Sequence, residues 1–297
     1  AGGGFDIYAA LPIYFGLKES GKNVTLANYS FTCLEETTSE IAFPFCYEIK
    51  SGDHDYSGRK YFPEKFLKLW LEENNELGSM YAFSRVGPQP LKEAYDSIIA
   101  RHEIDTVVLV DGGTDSLMFG DEDGLGTPQE DMSSMCAVNQ CTAETKLLAA
   151  IGFGVDHFHG VSHFHFLENV AEMIRSGGFL GSFHLLKEME AARKYAQAVE
   201  YSSQMMPQRP SIVSTSIANA LHGEYGNVHT TTRTKGSELW INPLMTIYWC
   251  FELSCVMERN RYYEHIKNTN SISELNIALD DYRRSLDGLR PFRPLPL

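Results

Sequence analysis

Short apolar runs and longer amphipathic segments alternate along this chain, and the two periods predict an α/β fold. Residues 24–31, 45–49, 80–83, 106–110 and 146–153 are brief runs rich in β-branched or aromatic side chains, the pattern of strands. Between them, 7–17, 63–74, 90–101 and 162–175 carry apolar residues at helical spacing. The segment from Pro63 is the plainest: a proline at the first turn, then Phe66, Leu67, Trp70 and Leu71 on one face. Thr127-Pro128-Gln129-Glu130 reads as a helix start, with Thr127 as the cap.

Farther on, 184–205 reads as a long helix, 210–220 as a strand and 239–241 as a shorter one. Residues 243–263 read as an apolar helix, fit for the core or a subunit interface, and 273–286 as a final amphipathic helix. The alternation predicts one three-layer α/β/α domain over residues 1–297 with a mostly parallel sheet and a helical portion from about residue 243.

Loop chemistry then locates the candidate site. The run Val108-Leu109-Val110 stops at Asp111-Gly112-Gly113-Thr114-Asp115-Ser116. A buried parallel strand that delivers acids and glycines at its carboxyl end marks where open α/β sheets bind ligands. Asp111 and Asp115 face each other across a tight turn, so they suit a hard divalent cation, Mg²⁺ or Mn²⁺. They equally suit the hydroxyls of a ribose or sugar, and Asp and Gly are also ordinary turn formers.

The opening Gly2-Gly3-Gly4-Phe5-Asp6 precedes a helix whose amino terminus would attract phosphate or carboxylate. It meets the dinucleotide fingerprint only in part, because Ile7 stands where the third glycine belongs, and Asp6 either caps the helix or meets the ligand. A leading strand is expected before Ala1. The run 229–235 holds four threonines with Arg233 and Lys235, a candidate anion site. Asp156 and His157 sit at a strand end near the proposed site, and His157 is a candidate general base. His159, His163 and His165 lack the spacing of a helical metal pair and read as structural. The acids 121–123 read as a solvated loop, and Glu130 and Asp131 as first-turn acids that favour the helix dipole.

Composition narrows the function. A net charge of −14 and a pI near 5.1 argue against coating a nucleic-acid polymer, which wants a basic face. The longest apolar stretches fall short of the roughly 20 residues of a membrane span. Six cysteines without a CxxC pair argue against structural zinc and a disulfide framework, so a reducing cytoplasm is the expected setting. Neither a P-loop nor a GxSxG elbow occurs.

Together, Ala1 to Asp6, the DGGTDSL segment from Asp111 and the GLGTPQED segment from Gly124 resemble the family termed domain of unknown function 1152. The resemblance implies a Rossmann-like α/β domain of bacterial and archaeal type and brings no reaction with it. The expected function is therefore an enzyme, a hydrolase or transferase, acting on a phosphorylated or nucleotide-like small molecule. Asp111, Asp115 and His157 would do the chemistry, with a metal on Asp111 and Asp115. Gly2, Gly3, Gly4, Asp6, Gly112, Gly113, Thr114, Ser116, Arg233 and Lys235 would bind the ligand. The alternative is a non-catalytic nucleotide or metabolite sensor acting through a homo-oligomer.

Overall fold

A computed structural model describes residues 1–295. The first half runs α1 (Asp6–Ala9), α2 (Leu11–Glu19), β1 (Leu26–Tyr29), β2 (Glu40–Phe43), β3 (Cys46–Glu48), α3 (Pro63–Glu73), β4 (Met80–Phe83), α4 (Pro88–His102) and β5 (Thr106–Gly112). The second half runs α5 (Pro128–Gln140), β6 (Thr145–Ile151), α6 (His163–Ser176), β7 (Phe179–His184), α7 (Glu190–Met205), α8 (Ile212–Leu221), β8 (Ile247–Glu252), α9 (Leu253–Arg259), α10 (Tyr263–Ile266) and α11 (Ile272–Arg284).

The fold is α/β, but its strands form two mixed four-stranded sheets, ordered β1-β4-β3-β2 and β5-β6-β8-β7. Only β1/β4 and β5/β6 pair in parallel; β3, β2, β8 and β7 join antiparallel. The expected mostly parallel sheet is corrected accordingly. Misread segments account for this, among them β7, which lies between two expected helices and was not expected as a strand. The run 247–251 was expected within a helix, yet it enters the second sheet as β8; a continuous apolar run carries no period to separate helix from strand. Phe251 is fully buried there, so 243–263 is not one helix, and no purely helical portion begins at 243. β2 escaped notice because it is an exposed edge whose side chains lack an apolar rhythm.

Four further expectations change. Residues 184–205 divide into the end of β7 and α7. Residues 210–220 form α8, started by Ser211, whose Oγ accepts from Ser214 N–H at 3.0 Å. Residues 239–241 make only a single bridge, Ile241 to Gly226. The first helix is two, α1 and α2, broken near Ala10, where Pro12 has no N–H to give.

β5 and β6 share one burial pattern, open at the start and buried at the last four residues, so each strand carries the chain from the surface into the interior. The glycine opening bridges the two sheets. Gly4 N–H donates to Tyr29 O at the end of β1 (2.9 Å), and the main-chain nitrogen of Ala1 donates to Val110 O on β5 (3.0 Å). α1 packs on both strands. The carboxyl ends of β1, β5 and β6 thus meet at one seam.

Candidate metal centre

Aspartates from five places in the chain converge at that seam. Asp6 begins α1, Asp111 lies at the end of β5, Asp115 opens the 3-10 turn that follows, Asp131 is in the first turns of α5 and Asp156 is in the 3-10 turn after β6. Asp111, Asp115, Asp131 and Asp156 are all buried. One carboxylate oxygen from each of Asp111, Asp115 and Asp131 lies within 4.8 Å of the others. A divalent cation bonded at about 2.0–2.6 Å reaches ligands across such a gap.

Glycines make the cluster possible. A Cβ on Gly2 would overlap the Asp6 carboxylate, and one on Gly126 would overlap that of Asp115. On Gly112 it would sit 2.6 Å from Asp6 Oδ1, and on Gly113 2.8 Å from Asp156 Oδ2. These glycines leave room for the protein's own acids, a role different from the ligand contact expected of them.

Donors nearby fix one edge of each acid. Ser116 Oγ donates to Asp111 Oδ2 at 2.6 Å, and Thr114 N–H to Asp156 Oδ2 at 2.7 Å. Thr127 donates to Asp115 Oδ2 from its N–H (2.8 Å) and its Oγ1 (3.1 Å), instead of capping α5 with its side chain. Gly3 N–H donates to Asp6 Oδ2 at 2.6 Å. Thr114 and Ser116, expected to touch a ligand, are engaged with these carboxylates. Asp131 differs: its Oδ1 is buried with no hydrogen-bond partner. Buried polar atoms are rarely left so, and each asks for an explanation.

The electrostatics point the same way. Among the described residues, no lysine or arginine bonds to any of the five aspartates. Burial, then repulsion from Asp115, pushes Asp111 up to about 7. Burial raises Asp6, Asp131 and Asp156 well above the usual range, helped by their neighbouring carboxylates, and burial raises Asp115 too. Buried charge without a partner is costly, and protons or a cation must compensate it.

The rim is basic. A Cβ on Gly4 would overlap the Tyr61 hydroxyl and come within 2.7 Å of the Phe31 ring, so these two aromatics close over the glycine loop. Arg209 stands 5.9 Å from the Tyr61 ring centroid, and Arg85 stands 5.5 Å from that of Phe31 while pairing with Glu130 at 3.2 Å. Burial raises the Tyr61 hydroxyl, and Arg233 and Arg209 pull it back. Arg233 donates to Pro210 O at 2.8 Å, and Lys235 is exposed beyond it. Arg233 thereby lies on the same side as Tyr61 and Arg209, while Arg85 and Arg209 were not among the candidate site residues.

His157 lies elsewhere. Its ring packs on His163 and Phe292, each 5.6 Å between centroids, on the wall of a separate cavity. The acids 121–123, expected to be solvated, are partly structural: Glu122 is fully buried and bound by Arg290 at 2.7 Å, and Asp121 pairs with Arg261 and Arg290. All six cysteines are free. No helix among the described residues is long and apolar enough to cross a membrane.

Residues 72–283 match the family model described as Protein of unknown function (DUF1152), and the chain belongs to that family. The matched stretch contains Asp111, Asp115, Asp131 and Asp156 and begins after the glycine opening. No curated protein and no solved structure matches the chain.

Proposed function

We propose that this protein is a metal-assisted hydrolase or transferase acting on a phosphorylated or nucleotide-like small molecule, with Asp111, Asp115 and Asp131 as ligands to Mg²⁺ or Mn²⁺. The observation that carries the reading is the buried carboxylate cluster to which no lysine or arginine among the described residues bonds, and in which Asp131 Oδ1 has no hydrogen bond. Hard oxygen donors select such cations, which bind through a few carboxylates and share their remaining positions with water and substrate phosphate. When bound, the ion would polarise a phosphoryl oxygen and neutralise developing charge.

The chain's own groups divide the remaining work. Ser116, Thr114 and Thr127 orient the acids, as partners behind metal ligands do. Asp156, outside the triad and held by Thr114 N–H, is the carboxylate placed to take a proton from a nucleophile. Arg85, Arg209 and Arg233 border the glycine opening and supply the positive potential that an anionic group requires. The paired strands β5 and β6 are parallel, and the loops at the carboxyl ends of parallel strands are where α/β sheets commonly bind ligands, which supports the reading.

The test is a thermal-shift screen of nucleotides and sugar phosphates, each with and without Mg²⁺ or Mn²⁺, on wild type and Asp111→Asn. A shift that needs the metal and vanishes in the variant supports the reading. Absence of any metal-dependent shift in the wild type refutes it. One observation favours the alternative of a sensor acting through an oligomer: the edge strand β7 and the loop after it expose Leu180, Phe183, Leu186 and Met189. A metal-independent ligand shift together with a concentration-dependent dimer would select that alternative.

A further inference from the structure

Beside the carboxylate cluster lies a cavity of about 360 Å³ whose lining is mostly apolar. Rings supply much of its wall: His157, His163, Trp240 and Phe292, with Met245 behind them. His163 stands 5.1 Å from the Phe153 ring and 6.0 Å from that of Trp240, and His157 packs on both His163 and Phe292. The polar groups are few: Ser216 from α8, Glu238 and Arg293 at the edge, and His163, whose buried Nε2 has no hydrogen-bond partner. A mostly apolar concavity with a few convergent polar groups is the usual form of a small-molecule site, and this volume sits near the lower end of the roughly 300–1,000 Å³ such sites occupy.

One short turn joins the cavity to the acids. In the 3-10 segment Val155–His159, Val155 and His157 line the cavity, while Asp156 between them directs its carboxylate to Thr114 N–H in the cluster. None of the five aspartates lines the cavity itself, so this turn is the wall that the two sites share.

We infer that this cavity binds the planar heteroaromatic ring of a nucleobase-type ligand. The shape of the wall favours a ring, because tilted and edge-on aromatic contacts are open to a further planar partner. The polar groups favour a heteroaromatic one, because ring nitrogens and amino groups satisfy Ser216, Glu238 and the His163 Nε2 where a hydrocarbon leaves them unpaired. The inference rests on the nucleotide-like reading above and names the part of the ligand that gives it specificity. It needs neither metal nor phosphate.

The experiment is isothermal titration of the whole chain, metal-free, with adenosine, guanosine, cytidine and uridine, and with ribose as the ring-free control. At least one nucleoside binds saturably and more tightly than ribose. Trp240→Ala and Phe292→Ala, both at partly exposed rings and so compatible with folding, each weaken that nucleoside about tenfold, the low-to-middle range for removing a stacking partner. Added Mg²⁺ leaves nucleoside binding within about twofold, because none of the clustered aspartates lines the cavity. The inference is overturned if no nucleoside binds better than ribose, or if neither ring variant weakens the one that does. A wild-type chain that binds a nucleoside but shows no metal-dependent shift in the thermal screen would count against the catalytic reading alone.

Discussion

Raising the pH should destabilise the metal-free protein, and a divalent cation should reverse the loss. Burial lifts Asp111 from 3.8 to about 7, so the folded chain holds this proton more tightly than the unfolded chain does. Below the unfolded value both states are protonated, and the group makes no difference to stability. As the pH climbs from about 4 to about 7 the unfolded chain gives up its proton first, and stability falls. Above the folded value the loss is complete. A gap of about three units corresponds to roughly 4 kcal/mol at about 1.4 kcal/mol per unit. That is a large share of the roughly 5–15 kcal/mol that holds a domain folded. Asp6, Asp131 and Asp156 are raised for the same reason, burial, and act in the same direction.

A cation at a hundredfold excess over its Kd returns about 2.7 kcal/mol. For a chain of 297 residues that is a rise of roughly 4 °C in Tm. The assay is a set of circular-dichroism melts between about pH 5 and pH 8, in excess MgCl₂ or MnCl₂ and in EDTA. The cation-induced rise should grow with pH, since proton and cation compete for the same oxygens. Asp111→Asn should remove charge from the cluster, so its metal-free form melts above the wild type at high pH yet ignores the cation. A metal-free Tm that stays level or rises with pH refutes the reasoning, and so does a cation response that survives in Asp111→Asn.

Gly126→Ala should cost about 1–3 kcal/mol in urea unfolding and blunt the cation response, because its φ is +70° and its Cβ would overlap the Asp115 carboxylate. Arg290→Ala should cost about 3 kcal/mol by the same measurement, because Glu122 is then left fully buried without its ion pair; this change should leave the cation response intact. Arg233→Ala and Arg209→Ala, both at exposed positions, should change Tm little, within the roughly 0.5 kcal/mol usual for surface sites, yet weaken any phosphorylated ligand found in the thermal-shift screen.

Elements whose pattern has a clear period were legible in the sequence, and those without one were not. Met80–Phe83 was bounded correctly because all four residues are buried between turn-forming neighbours. Residues 247–251 are as apolar as a core helix, and only their pairing with β6 and β7 makes them a strand. Ser211 and the small residues after it imitate a strand because Ser, Ile and Val are common there, while the cap bond that starts α8 is a matter of three-residue geometry. The site divides in the same way. Asp111 and Asp115 stand on one loop at a strand end, so local spacing pairs them. Asp131 has an adequate reason to be where it is, the dipole of α5, and that reason hid its place in the carboxylate cluster.

Two roles for one residue type explain why the glycine opening was misread. Glycine before a helix suggests a ligand approaching the backbone. In this fold the group that approaches is the protein's own carboxylate, at Gly2, Gly112, Gly113 and Gly126 alike. The distinction has a physical consequence. Glycines that admit a phosphate leave a positive hollow at the helix end, and acids there would repel the ligand. Glycines that admit acids concentrate negative charge in a dry space, which becomes hospitable to phosphate only once a cation is present. The basic rim at Arg85, Arg209 and Arg233 adds attraction for the same anion from outside. If the proposed function holds, an anionic ligand and the metal should bind cooperatively. Each should raise the affinity for the other by the same factor, and that factor is measurable by titrating either one in the presence of the other.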